Sequence, residues 1–330
     1  MAPTSTDPAL VWAPDVLGAP FEAATLALRP DTEGEAVATL VRHGSGSRKA
    51  VLYVHGFSDY YFNTALAEYW AGHGYDFHAL DLRGYGRSMR PGRRRGYVAD
   101  LAAYDEELDL AWAEVTREHD QVVLMAHSTG GLVVPLWADR RGELIAGALS
   151  AVVLNAPWLD MQGSAMLRHV GMRVIDRLGR LQPTRQITRE ADGFYARTLH
   201  RDHDGEWDFD LTLKPIESFP VYAGWLRAIR QGHQRVAQGV DVPAPVLVLC
   251  SARSGHPTSV HDEALRSTDV VLDVEQIRRR APLLGSHVTL AMLEGAIHEV
   301  TLSPEPARKR AYEEIDRFLA AYVEDPKPRR

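Results

Sequence analysis

Cysteine occurs once in the 330 residues, at Cys250, which excludes an internal disulfide and a cysteine-built metal cluster and leaves the fold to rest on its apolar core. No run of about 18 apolar residues is present, and Met1 to Pro20 lacks a basic stretch followed by an apolar one. The expectation is a soluble, cytoplasmic chain with no membrane-spanning helix and no secretory leader. Basic charge is scarce as well: 37 Lys and Arg stand against 44 Asp and Glu, a formal net charge of −7. Nonspecific phosphate binding needs a long basic stripe, and none offsets this balance, so nucleic acid is not an expected partner. What is there, 45% apolar, 25% charged and 8% aromatic residues, suits one large globular domain or two small ones.

Short β-branched runs alternate with helical periodicity, the pattern of a parallel sheet wound by crossover helices. Strands are predicted at Phe21–Leu28, Ala36–Arg42, Ala50–His55, Asp76–Asp81, Gln121–Ala126, Ala151–Asn155, Pro245–Cys250 and Val288–Leu293. Val51 to Val54 and Val122 to Met125 are apolar without alternation, as in strands buried on both faces. A helix is predicted from about Val98 to Glu118, with Leu101, Tyr104, Leu108, Trp112 and Val115 on its buried face. Another, after Pro304 and Pro306, should bury Ala311, Ile315, Phe318, Leu319 and Tyr322.

Between Pro157 and Pro243 the strand signal stops and helical patterns take over, at Met166–Leu178, Ala191–His200 and Tyr222–Val240. About eighty residues between consecutive strands far exceed an ordinary loop, so they should form a structured subdomain over one end of the sheet. The predicted organisation is α/β, a mostly parallel central sheet flanked by helices. Residues 1–157 and 242–325 build the core, a helical cap is inserted at 158–241, and the first dozen residues and the tail 326–330 are loose.

After the strand ending at Ala126 the sequence reads His127-Ser128-Thr129-Gly130-Gly131 and then the apolar run Leu132 to Leu136. Strand, tight turn with serine at its apex, then helix is the pattern of a nucleophile elbow, with Ala126 where the first glycine of G-x-S-x-G stands. Such a turn exposes the serine Oγ and aims a helix N-terminus, with its unpaired N–H groups, at developing negative charge.

With His55-Gly56-Phe57 after an early strand, Asp81-Leu82-Arg83-Gly84-Tyr85-Gly86-Arg87-Ser88 after the next, Gly96-Tyr97-Val98, and Gly295-Ala296-Ile297-His298-Glu299 near the end, the chain resembles the monoglyceride lipase and serine aminopeptidase-like α/β-hydrolases. The resemblance implies an α/β-hydrolase fold, Ser128 as nucleophile, and the N–H groups of Phe57 and Thr129 as oxyanion hole. Because chain order in these enzymes is Ser, acid, His, it implies His298 as base; His127 and His287 read as packed or surface side chains. The acid normally sits just after the strand ending at Cys250, but that place reads Ser251-Ala252-Arg253-Ser254. If Ser254 to Arg266 is an inserted loop, the pattern resumes at Asp269; Asp273, as a helix cap, and Asp160, one strand earlier, are the alternatives.

The run Arg90, Arg93, Arg94, Arg95 reads as a solvated loop, since arginine supplies 33 of the 37 basic residues. His200, Asp202, His203, Asp204, Asp208 and Asp210 match neither an EF-hand nor a helical zinc pair, so no metal is expected, and no cofactor either. Cys250 reads as a small buried hydrophobe. The expected function is cleavage of small-molecule carboxylic esters with an apolar acyl part. The alternatives are an aminopeptidase or amidase, which would need a cap carboxylate such as Glu206 or Glu217 for the free amine, and a member that only binds ligand.

Overall fold

The computed structural model describes residues 10–44, 46–161, 175–187, 193–259 and 261–324. The chain opens on an antiparallel margin of β1 (Ala13–Pro14), β2 (Glu22–Asp31) and β3 (Gly34–His43). It continues through β4 (Lys49–Val54), α1 (Thr64–Gly72), β5 (Asp76–Asp81), α2 (Asp105–Val115), β6 (Gln121–His127), α3 (Gly130–Arg141), α4 (Glu143–Ala146) and β7 (Leu149–Asn155). After α5 (175–181), β8 (Gln186–Ile187), α6 (Phe194–Leu199), β9 (Val221–Tyr222) and α7 (Ala223–Ala237) it returns to the sheet with β10 (Val246–Ser251). It ends with α8 (Ala264–Ser267), α9 (Val274–Arg280), β11 (Val288–Leu293) and α10 (Glu305–Leu319).

The sheet order is β1-β2-β3-β5-β4-β6-β7-β10-β11; pairing is antiparallel as far as β3–β5 and parallel from β5 to β11. The unbroken apolar strands are central for the expected reason: their alternate residues serve two cores. Leu52, Leu124, Val152 and Val248 pack with Leu108, Leu132, Leu136 and Ile229 of α2, α3 and α7. Val51, Val123, Val153 and Leu249 pack with Leu66, Trp70, Ile315 and Phe318 of α1 and α10. Each fully buried aliphatic side chain contributes roughly 1.5–3 kcal/mol. Cys250, between β7 and β11, is completely buried, and burial pushes its thiol up to about 12.

Several elements differ from the sequence expectation. The helix expected from Val98 begins as a 3₁₀ turn at Leu101–Tyr104, because the Asp100 side chain accepts the Ala102 N–H. It becomes α-helical at Asp105, where Asp105, Glu106 and Glu107 suit the positive end of the dipole. Tyr322 is 38% exposed instead of buried: α10 ends at Leu319 and the following turn swings the ring out against His287. Residues 1–9 lie outside the described residues, but Leu10 and Trp12 pack on the core, and Arg42 lies over the Trp12 ring. Within 158–241, β8 and β9 form a two-stranded antiparallel pair where only helices were expected. Most of the Met166–Leu178 helix and the start of Ala191–His200 fall outside the described residues; α6 and α7 occupy the rest.

The helix α3 meets the sheet at closest range through Gly130. A Cβ there would lie 2.5 Å from the His55 carbonyl oxygen and 2.6 Å from that of Val54, backbone atoms that cannot rotate away. Gly130→Ala should therefore destabilise by roughly 1–3 kcal/mol, seen as a lower urea midpoint at unchanged slope. Gly72→Ala, with nothing within 4 Å of the added methyl, should not lower the midpoint.

Candidate active site

Four segments converge at the carboxyl ends of the parallel strands, where open α/β sheets place their ligands. Ser128 follows β6 with φ +50°, a left-handed conformation that costs a residue with a Cβ roughly 1–2 kcal/mol. Its N–H donates to the Asn155 carbonyl (3.0 Å) and its carbonyl accepts the Trp158 N–H (2.9 Å), so β7 and the chain leaving it hold the turn from both sides. The space is too small for larger neighbours: a Cβ on Gly56 would meet Ser128 Cβ at 3.0 Å, and one on Gly131 would meet Pro157 Cβ at 2.6 Å.

His298 follows β11 on a loop opened by Gly295 at φ +73°. Its Nε2 lies 2.9 Å from Ser128 Oγ and its Nδ1 lies 3.0 Å from Asp269 Oδ2. An ionised carboxylate only accepts, so Nδ1 carries the proton and Nε2 is left to accept from the serine hydroxyl. Asp269 Oδ1 takes the N–H groups of Val271 and Leu272 at 2.8 and 2.7 Å. The chain reaches this point by a detour: Asp269 N–H donates to the Arg253 carbonyl and Gly255 N–H to the Asp269 carbonyl, so the segment between closes on itself as an excursion from the end of β10. All three side chains are buried, Ser128 being 8% exposed.

Asp273 caps α9 by accepting the Glu275 N–H, and Asp160 pairs with Arg280 at 2.8 Å; neither is the carboxylate on His298. Thr129 follows Ser128 and Phe57 follows Gly56, which packs against Ser128, and among the described residues neither the Phe57 nor the Thr129 N–H has an acceptor. The Phe57 ring lies 4.2 Å from Trp225 and 6.1 Å from Phe219, and Trp158 lies 6.0 Å from Trp225. Thr129 Oγ1 and the indole nitrogens of Trp158 and Trp225 are buried without a partner among the described residues.

Next to these residues is a set of buried charges to which the sequence reading gave no role. His127, expected to be merely packed or at the surface, places Nε2 2.9 Å from Glu299 Oε2; Lys214 Nζ lies 2.5 Å from Asp59 Oδ1. Burial disfavours the His127 cation, but the charge and hydrogen bond of Glu299 more than offset this, and its pKa is raised. Burial would likewise raise the Asp59 carboxyl, yet Lys214 and His127 hold it below the usual range. The available signal was adjacency, since His127 precedes the serine and Glu299 follows the histidine. Asp59, His127 and Glu299 each offer one ligand atom within 4.8 Å of the others, but Lys214 already neutralises Asp59 and fits a cation poorly.

Two arginines of the run are paired, Arg93 with Asp31 and Arg94 with Glu33, clasping the β2–β3 turn, while Arg90 donates to the Arg87 and Met89 carbonyls and the exposed Arg95 to the Thr212 carbonyl. Of the histidines and aspartates around the end of α6, His200 lies 3.0 Å from the Phe209 carbonyl and takes the Asp202 N–H, while Asp208 pairs with Arg201 and Asp204 with Arg197. Glu206 is taken by Arg308, and Glu217 is exposed. Among the described residues no helix is long and apolar enough to cross a membrane.

A mostly parallel sheet with helices on both faces and a serine at a left-handed strand-to-helix turn defines an α/β-hydrolase fold. The sequence matches the family described as Hydrolase_4, serine aminopeptidase S33, over residues 45–255, and the chain belongs to that family. It is 34% identical over 115 residues to phospholipase YtpA of Bacillus subtilis (strain 168), a stretch covering 34% of this chain and 41% of that protein. Among solved structures, a monoacylglycerol lipase from Paleococcus ferrophilus superimposes with a TM-score of 0.62 at 20% identity, covering 86% of this chain and 98% of the other. A soluble variant of Saccharomyces cerevisiae monoglyceride lipase superimposes with a TM-score of 0.60 at 15% identity, covering 98% and 100%.

If the Ser128 backbone is held in a conformation that suits glycine, relieving it should stabilise the fold. Ser128→Gly should be about 1 kcal/mol more stable than Ser128→Ala, measured as the difference between their urea unfolding free energies; equal stabilities would show that the turn stores no strain.

Proposed function

We propose that this protein is a serine hydrolase that cleaves carboxylic esters with an apolar acyl part, with Ser128 as nucleophile, His298 as general base and Asp269 as the acid that orients it. The observation that carries the reading is the continuous row from Ser128 Oγ to His298 Nε2 (2.9 Å) and from Nδ1 to Asp269 (3.0 Å). His298 takes the serine proton as Oγ attacks the acyl carbon. Asp269 fixes the imidazole tautomer and stabilises the charge that develops on the ring. The tetrahedral oxyanion is received by the Phe57 and Thr129 N–H groups, whose lack of an internal acceptor suits that role. His298 then returns the proton to the leaving alcohol, and a water activated in the same way cleaves the acyl-enzyme.

Residues 158–241 serve as the cap in this reading. They leave the sheet between β7 and β10 and bring Phe219 and Trp225 to Phe57, with Trp158 against Trp225, an apolar wall with few polar atoms, as small-molecule sites usually have. The engagement of Glu206 by Arg308 leaves the aminopeptidase alternative without that carboxylate.

Ser128→Ala and His298→Ala should each lower kcat on the order of 10⁴- to 10⁶-fold, with the double variant little worse than either. Asp269→Asn should cost up to about 10⁴-fold through the wrong tautomer, while Asp273→Asn and Asp160→Asn leave turnover near wild type. Fluorophosphonate labelling lost in Ser128→Ala, together with p-nitrophenyl ester kinetics, checks the set; wild-type turnover in Ser128→Ala would overturn it.

Substrate choice is tested separately. Each methylene buried in an apolar pocket contributes about 0.8 kcal/mol, so kcat/KM should rise from acetyl to butyryl to octanoyl esters and exceed that for aminoacyl anilides. Preference for the anilides would favour the aminopeptidase, and no hydrolysis at all would favour ligand binding alone.

A further inference from the structure

The buried charges beside the Ser128 row alternate in sign. Lys214 is 2.5 Å from Asp59; the ligand atoms of Asp59, His127 and Glu299 all lie within 4.8 Å of one another; and His127 is 2.9 Å from Glu299. Lys214 is 7% exposed and the other three 3–4%. The set is net neutral when His127 is protonated, the state its raised pKa favours. Each member comes from a different part of the chain: Asp59 from the loop that carries Phe57, His127 from the residue before Ser128, Glu299 from the residue after His298, and Lys214 from the 158–241 segment.

Other contacts join the same parts. Tyr195, on α6, accepts the Glu299 N–H through its hydroxyl at 2.9 Å and presents its ring edge-on to His298 at 5.8 Å. Phe219 N–H donates to Ser58 Oγ at 3.0 Å. Glu299 Oε1 also accepts from Asn155 Nδ2 and Thr301 Oγ1, so its carboxylate has little freedom to shift. Lys214 sits between the Phe62 and Phe209 rings, 5.0 and 5.4 Å from their centres, a slot for a compact ammonium in a chain whose basic residues are otherwise nearly all arginine.

Four ions taken out of water are a poor source of stability, because desolvation costs several kcal/mol per ion and an apolar replacement often does as well. What such a set supplies is a fixed relation among the segments that carry it. We propose that Lys214, Asp59, His127 and Glu299 are positioning residues that lock residues 193–219 into register with the loops bearing Phe57, Ser128 and His298, so that the seating of this stretch sets the serine–histidine geometry. This rests on the hydrolase reading above. None of the four touches the reacting atoms; they act through Ser128, His298 and the Phe57 loop.

The test uses the full-length protein and two variants. Glu299→Gln keeps acceptor and donor atoms for Asn155, Thr301 and a neutral His127 but removes the charge. Asp59→Asn with Lys214→Met removes the second pair together, leaving no unpaired ion. Both should lower kcat for a p-nitrophenyl ester by ~10- to 100-fold, the scale of small misplacement at a reacting centre. KM should stay within about twofold, since the substrate's own contacts are untouched. The downfield proton resonance of His298 Nδ1–H, which needs no turnover, should shift or broaden in both. If the double variant is folded but keeps wild-type kcat and an unshifted resonance, the proposal fails. A fall in melting temperature and kcat with the resonance unmoved would also refute it, leaving a merely structural pair. Should Glu299→Gln not fold, the double variant decides. Absence of fluorophosphonate labelling in the wild type would instead overturn the hydrolase reading, and the resonance comparison would still judge the register.

Discussion

Asn155 is the residue on which the site depends. At the end of β7 its backbone carbonyl accepts the Ser128 N–H and lies 3.1 Å from His127 Nδ1, while its side-chain Oδ1 accepts the Val300 N–H and its Nδ2 donates to Glu299 and Thr301. One fully buried residue therefore holds the turn after β6, through its backbone, against the loop after β11, 145 residues beyond Asn155, through its side chain. A side chain without both a donor and an acceptor at this place would leave buried backbone or carboxylate groups unpaired, at roughly 1–3 kcal/mol each. The strained φ of Ser128 persists because groups on either side of it are already committed.

A second buried set secures the far side of the site. Asp81, wholly buried at the end of β5, accepts the N–H groups of Tyr61 and Arg87 and pairs with the Arg87 guanidinium, which also holds Asp15. Next to it Arg83 is gripped by Glu106 and Glu107. The loop from His55 to Asn63, which carries Phe57, is thereby fixed at its outer end to the loop after β5 and to the antiparallel margin of the sheet. Removing one partner of such a pair leaves an uncompensated buried ion, commonly a loss of 3–5 kcal/mol.

The sheet was legible because its signal is local and repeated. Asp76–Asp81 and Val288–Leu293 coincide with the predicted strands, and the other six shift at their ends by one to three residues. Ser128 and His298 stood out because a strand, a turn of small residues and a helix leave a pattern within ten residues. Asp269 was harder to read, since the excursion after β10 separates it from its strand and only the pairing of Arg253 to Gly255 with Asp269 brings it back. Asn155, Asp59 and Lys214 left no local trace: their partners lie 145, 155 and 155 residues away, and what selects them is a buried geometry that no periodicity encodes. Arg93 and Arg94 misled for the same reason, their acidic partners being on the β2–β3 turn some sixty residues earlier.

The single cysteine gives the molecule an internal clock. Cys250 lies in β10 with neighbours on both sides and a thiol held almost entirely protonated at neutral pH. A thiol in this state is inert toward alkylating reagents until β10 parts from its neighbours and lets it ionise. Its modification rate therefore counts openings of the sheet at β10, one strand in from the β11 edge, with no other sulfhydryl to confuse the reading. Reagents for thiols and for serines thus report on separate events in the same chain, the first on the opening of β10 and the second on the turn at the end of β6.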